Sequence, residues 1–367
     1  DPTYVSGGSS AGSAVSVALG QVVFSLGTDT AGSGRVPASF NNLYGLKGTK
    51  GRVSCTGVVP ACQSLDCVTI FTSTAADAKA VWQVAGAFDP VDPFARAAVP
   101  SKAMLAAFTF GVPSPEQLAF FGDEAAEVLF WQSVETLKEL GGEAVTINLD
   151  PFVQAAKLLY EGPYVAERLA AIKEFFRDDP TRCLPVIQTI VGGAEKRAAV
   201  EAYEALYALQ RYKRVTDAEL AKVDFIVTPT AGTIYPIADV EADPIQLNSN
   251  LGHYTNFMNL LDYAAVSVPC GFMPDGLPSG VTLFGRAFTD QYLLGVADAF
   301  QRVQPLPLVG GSLLAASLPA ATGSHDRMAL VVCGDDDKET EARTGKNPGR
   351  LKATEAAKRV HGVAAFP

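Results

Sequence analysis

The sequence predicts an α/β fold. Three observations carry this. Strand-like and helix-like segments alternate along the chain, which favours layered α/β packing over a sandwich or a bundle. The 367 residues are 48% hydrophobic, enough for a sizeable core in one large domain or two small ones. The 33 glycines and 23 prolines supply turns between the elements.

Taken in order, a glycine-serine turn leads into an apolar helix at residues 14–19, followed by a strand at 22–26 and a helix-like segment after Ser33. Residues 43–59 are glycine-rich and read as a loop, and 75–87 as a helix. Residues 124–140 form a strong amphipathic pattern, with acidic residues at its start and Gly141-Gly142 at its end, so a helix is expected there. A strand follows at 144–149 and a long helix at 194–212. Strands are expected at 225–228, 265–268 and 280–284, and a helix at 291–303 closes the domain. No internal repeat is found. The organisation expected is a catalytic domain over 1–303, a linker over 304–327, and a charged tail or remnant of a further domain over 328–367, with a short strand at 328–332.

Composition excludes several classes. No run of about 18 apolar residues exists, so no membrane span is expected. A formal charge of −10 and a pI near 4.9 argue against nucleic acid, whose phosphates call for basic patches. Nothing at the start resembles a signal peptide, and a cytoplasmic location is expected; the opening Asp1-Pro2-Thr3, without an initiator Met, reads as cut from a longer protein. Six cysteines in a chain this large do not suggest a disulfide scaffold. Cys55, Cys62 and Cys67 lack zinc-site spacing and lie far in sequence from His253, His325 and His361, so they read as buried free thiols and no metal is expected. A Ser-His-Asp triad would have to use one of these histidines; His253 is the only plausible one and reads as structural.

The chemistry concentrates in two small-residue serine loops. Gly7-Gly8-Ser9-Ser10-Ala11-Gly12-Ser13 and Gly27-Thr28-Asp29-Thr30-Ala31-Gly32-Ser33-Gly34-Arg35 flank one short apolar strand. The second comes close to a phosphate-cradling loop but lacks the lysine before the Ser/Thr that reaches the phosphates. Ser33 stands where a strand ends and a helix-like segment begins, among unpaired N–H donors of the kind that suit a developing oxyanion.

These strings resemble the amidase signature family, whose members carry serine loops at this spacing. Asp224-Phe225-Ile226-Val227-Thr228-Pro229-Thr230 and Gly276-Leu277-Pro278-Ser279-Gly280-Val281 look like its later blocks, so the likeness runs from about residue 1 to 302. Within the family the chain resembles the allophanate hydrolases, through the stretch from Leu159-Tyr160-Glu161 to Arg168 and through Tyr254-Thr255-Asn256-Phe257-Met258-Asn259-Leu260-Leu261-Asp262. The fold implied is a mixed central β-sheet flanked by helices, with its N-terminal part missing from this chain.

The resemblance implies acyl transfer by a Ser–cisSer–Lys triad with no metal or organic cofactor. Ser33 would be the nucleophile and Ser9, after a cis peptide, the proton relay. The backbone N–H groups of Thr30, Ala31, Gly32 and Ser33 are the pool for an oxyanion hole. Asp29 and Arg35 are assigned to supporting the loop, where a structural ion pair and a catalytic support are hard to separate. Gly162-Pro163 breaks a helix, so Tyr160 and Arg168 can converge from two sides of a bend. By resemblance they grip the carboxylate of a small anionic amide; the alternative is that Arg168 only pairs with acids on an exposed helix face.

One departure is large. The family's lysine lies well upstream of the first serine loop, and only eight residues precede Ser9 here. Lys47 and Lys50 belong to a different block and are not expected to replace it. The functions left open are an allophanate hydrolase, with a urea carboxylase as partner or fusion; a broad amidase or amidotransferase A-type subunit; and a truncated, non-catalytic protein. Assembly as a homodimer also stays open.

Overall fold

The computed structural model describes residues 1–100 and 106–309. In chain order the elements are α1 (Ala11–Ala18), β1 (Phe24–Asp29), α2 (Val36–Phe40), β2 (Tyr44–Lys47), β3 (Cys67–Thr72), α3 (Ala75–Ala85), β4 (Phe108–Pro113), α4 (Glu124–Glu139), β5 (Gly142–Ile147), α5 (Asp150–Tyr160), α6 (Tyr164–Asp178), α7 (Pro185–Gly192), α8 (Ala199–Leu220), β6 (Phe225–Pro229), α9 (Ile237–Ala242), α10 (Pro244–Leu251), β7 (Tyr263–Phe272), β8 (Pro278–Arg286) and α11 (Asp290–Val303).

The described strands form one sheet in the order β1-β3-β2-β7-β8-β6-β4-β5. It is mixed: β4 runs parallel to β5 and β6, and the other neighbours are antiparallel. Period-two alternation decides which layer each side chain joins. Phe225 and Val227 of β6, Val266 of β7 and Leu283 of β8 face the layer that holds α3, α4 and α11. Ile226, Ala265 and Phe284 face the opposite layer, where Phe152 of α5 and Leu209 of α8 pack with Phe257. The sheet is therefore covered on both sides, which is why its strands read as apolar runs rather than alternating ones.

The helix starts follow local chemistry. The Thr74 hydroxyl accepts from Asp77 N at the start of α3, and the Asp123 carboxylate accepts from Ala126 N at the start of α4. Pro151 stands in the first turn of α5, where its missing N–H would have no helical partner.

Four expectations need correction. The strand expected at 144–149 spans Gly142–Ile147. Residues 43–59 are not all loop: Tyr44–Lys47 is a buried strand between β3 and β7, formed because its backbone finds partners on both sides despite a mixed Tyr-Gly-Leu-Lys sequence. The long helix starts at Ala199 rather than 194, because residues 193–196 wind as a 3₁₀ turn and Glu201 accepts the Ala198 N–H at 2.6 Å; it then runs on to Leu220. The first strand spans 24–29 rather than 22–26, so it delivers its last residue, Asp29, directly into the serine loop. Beyond α11, Asn42 Nδ2 donates to Pro307 O at 2.9 Å and the Ser73 hydroxyl to Val309 O, so the first residues of the expected linker lie against the domain. The strand expected at 328–332 lies outside the described residues, as do His325 and His361.

Candidate active site

β1 ends at Asp29, and the next six residues turn the chain into α2. The Asp29 carboxylate holds the turn closed. It accepts Arg35 Nε and Nη2, each at 2.9 Å, and Gly34 N at 3.1 Å, with both charged side chains fully buried. The turn is also tied to the block at 254–262. Arg35 Nη2 donates to Thr255 O at 3.2 Å, and Asn259 Nδ2 donates to Asp29 O at 2.7 Å. Gly32 adopts φ +149°, and a Cβ there would stand 2.3 Å from Thr255 Oγ1, so only glycine fits. Arg35 N and Val36 N both donate to Gly32 O, which winds the start of α2 and leaves Ser33 almost buried at the bend, three residues ahead of that helix. Among the described residues the N–H groups of Ala31, Gly32 and Ser33 have no protein acceptor.

The first serine loop sits between the two ends of this turn. The Gly8–Ser9 peptide is cis. Ser10 Oγ donates to Thr28 O and accepts from Thr28 N, both at 3.0 Å, and Ser13 Oγ donates to Leu26 O at 2.8 Å. On the other side Gly7, at φ +76°, lies so near α2 that a Cβ would stand 2.7 Å from Pro37 Cα. Asn41 Nδ2 donates to Ser6 O at 2.8 Å. Ser9 is thus fixed beside β1 and α2, which also bracket Ser33, and its own side chain is exposed.

Tyr160 ends α5, Gly162-Pro163 makes the bend, and α6 carries Arg168. Arg168 Nη2 donates to Tyr160 OH at 3.0 Å, and its guanidinium carbon lies 4.9 Å from the ring centroid. Burial raises the Tyr160 phenol pKa, with Arg168 opposing. Arg168 is half-buried against Tyr160 rather than displayed on an exposed face. Ala31 of the serine turn packs in the same apolar cluster as Leu159, Tyr160 and Tyr164. The structure therefore holds Ser33, Thr30, Ala31, Gly32, Asp29 and Arg35 in one turn, places Ser9 beside the strand that enters it, and pairs Tyr160 with Arg168 at a bend that shares an apolar cluster with Ala31.

Lys47 and Lys50 are bonded around the frame of the site, to groups other than the two serine loops. Lys47 Nζ donates to Gly48 O at 3.1 Å beside Cys67, and Lys50 Nζ reaches Ser64 O at 3.4 Å. His253 packs edge-on against Tyr254, 4.7 Å between ring centroids, and burial lowers its pKa. Cys55, Cys62, Cys67, Cys183 and Cys270 are free thiols.

Residues given no role by the sequence complete the frame. Asp66 accepts the Thr30 hydroxyl, and also Ala61 N at 2.9 Å and Cys62 N at 3.1 Å. Asn259 Nδ2 also donates to Leu65 O at 3.0 Å. The only sequence signal for Asp66 is an acid set between two apolar segments.

The mixed sheet with a paired-serine turn at the end of β1 defines an amidase-type α/β fold. The chain belongs to the Amidase family, whose sequence profile matches residues 1–294. It is 42% identical over 303 residues to a urea amidolyase of Lachancea kluyveri, covering 82% of this chain and 17% of that protein. A crystal structure of Kluyveromyces lactis allophanate hydrolase superposes with a TM-score of 0.80 at 40% identity, over 83% of this chain and 50% of that one. A glutamyl-tRNA(Gln) amidotransferase subunit of Chloroflexus aggregans is 34% identical, over 83% of this chain and 67% of its own length. The chain thus spans about a sixth of the urea amidolyase and half of the allophanate hydrolase.

Proposed function

We propose that this chain carries an allophanate hydrolase site, releasing ammonia and carbon dioxide from urea-1-carboxylate. The observation that carries the reading is the Tyr160–Arg168 pair, set at a helix bend in the same apolar cluster as Ala31. A planar guanidinium grips a carboxylate through two parallel N–H donors, and the Tyr hydroxyl adds a third. The far amide of a small substrate then lies toward Ser33.

Ser33 Oγ attacks the terminal amide carbonyl, and the N–H groups of residues 30–33 receive the oxyanion. Ammonia leaves, water cleaves the acyl-enzyme to N-carboxycarbamate, and that product breaks down to carbon dioxide and a second ammonia. Ser9 moves the proton between Ser33 and the base, a neutral lysine in the scheme the family resemblance implies. Asp29 and Arg35 hold the turn that presents these donors. The scheme uses no metal or cofactor. We take residues 1–303 as the catalytic domain, acting in the cytoplasm on allophanate supplied by a urea carboxylase, fused or separate.

The identity to the Chloroflexus protein supports a second reading, a broader amidase or amidotransferase component, in which Tyr160 and Arg168 are incidental. Ammonia release from allophanate, measured beside its neutral isostere biuret on the full-length gene product with Ser33→Ala as control, separates the two. Turnover of allophanate much faster than that of biuret, both lost in Ser33→Ala, supports the first reading. Turnover of biuret at least as fast as that of allophanate supports the second.

A further inference from the structure

We propose that residues 61–66 form a strut that couples the serine turn to the anion-gripping helix, with Asp66 and Glu167 as its positioning residues. The inference rests on the functional reading above and concerns how its two halves are kept in register.

The strut is attached at both ends. At one end the Asp66 carboxylate, almost buried, accepts the Thr30 hydroxyl. Thr30 is the first residue of the turn and directly precedes Ala31 and Gly32. The strut is rigid in itself: Asp66 also takes Ala61 N and Cys62 N, and Leu65 N and Asp66 N both donate to Cys62 O. Asn259 Nδ2 bridges Leu65 O and Asp29 O, so the strut and the strand end beneath the turn share one amide.

At the other end the Glu167 carboxylate accepts Ser64 N at 2.7 Å and Ser64 Oγ at 2.8 Å. Glu167 directly precedes Arg168, so a two-point clamp there fixes the helix turn from which the guanidinium projects. The Cys62 thiol lies under the first turn of α6, 3.9 Å from Tyr164 O. The Arg168 charge also acts on the Asp66 carboxyl. A carboxylate bound at Arg168 is thereby linked, through one short loop, to the donors that receive the oxyanion.

Such coupling has a readout that local packing lacks. In hydrogen-exchange measurements on the full-length protein, Glu167→Gln is expected to speed exchange at least threefold in peptides covering residues 29–35, and Thr30→Val to do so over 164–169. Kinetically, Asp66→Asn lowers kcat for allophanate and biuret about tenfold with little change in KM, because one oxygen cannot serve three donors; Glu167→Gln raises the allophanate KM about tenfold with a smaller effect on kcat. Should Glu167→Gln fail to fold, Ser64→Ala, which removes one hydrogen bond to Glu167 at an exposed position, replaces it in the exchange test. Exchange confined to each variant's own end overturns the strut. Inactivity of the parent protein on allophanate overturns the functional reading alone, since exchange still decides the coupling.

Discussion

Asp29 and Arg35 form a two-pronged ion pair, with Nε to Oδ2 and Nη2 to Oδ1 both at 2.9 Å and no exposed surface on either side chain. The pair closes the turn that contains Ser33, so loop geometry and stability depend on the same contact. Removing one partner leaves an unpaired buried charge, which typically costs about 3–5 kcal/mol. Arg35→Leu and Asp29→Ala are each expected to lower unfolding free energy by about that amount and to abolish ammonia release. Arg35→Lys keeps the charge but not the fork, and falls between them and the parent protein. Urea unfolding of the three variants checks the order; a stable Arg35→Leu protein would contradict it.

Gly32 combines φ +149° with the Thr255 hydroxyl in the space a Cβ would fill. Gly32→Ala therefore has to move the backbone between Ala31 and Ser33. The expected result is a loss in kcat on the order of 10²–10³, comparable to removing one oxyanion donor. Thr255→Ala removes the Oγ1 contact but leaves its own Cβ 2.8 Å from the added one and the φ strain unchanged, so the double variant recovers only part of the loss. Steady-state kinetics on both proteins decides this; full recovery would place the constraint in side-chain contact alone.

The serine turns are legible in the sequence because catalysis confines them to short strings of small residues. Their supports are not, because the partners are distant in sequence: Thr30 and Asp66 lie 36 residues apart, Asp29 and Asn259 230 apart. The same limit applies to the fold. Apolar β6 and amphipathic α4 are visible in period and composition, whereas β2 exists through the neighbours that pair with it on both edges. Cys67–Thr72 and Phe108–Pro113 escape a reading by pattern because their runs are short and not distinguished from buried helix segments by periodicity.

Substrate charge is where Tyr160 and Arg168 are expected to act. Arg168→Ala removes the guanidinium and should raise the allophanate KM about 10–100-fold, and Tyr160→Phe, which deletes one hydroxyl, by less. Because biuret carries no carboxylate, its kinetics should change far less in either variant. Equal losses on the two substrates would show that the pair shapes the site without reading the anion.

Buried thiols set an alkaline limit on stability. Burial pushes Cys62 up to about 12 and Cys270 to about 11, from an ordinary value of 9.0. In the unfolded chain both release their protons above pH 9, while the folded protein retains them. The unfolded state then binds fewer protons, so stability falls as pH rises from about 9 toward 11, by about 1.4 kcal/mol per unit for each thiol. The burial that lowers the His253 pKa acts with the opposite sign, since the unfolded state takes up that proton below about pH 6.5 and stability falls as pH drops. Urea midpoints are therefore expected to be highest between about pH 6.5 and 9 and to drop clearly at pH 10, with Cys270→Val reducing the alkaline slope. Midpoints unchanged from pH 8 to 10 would mean that the thiols gain solvent access in the folded state.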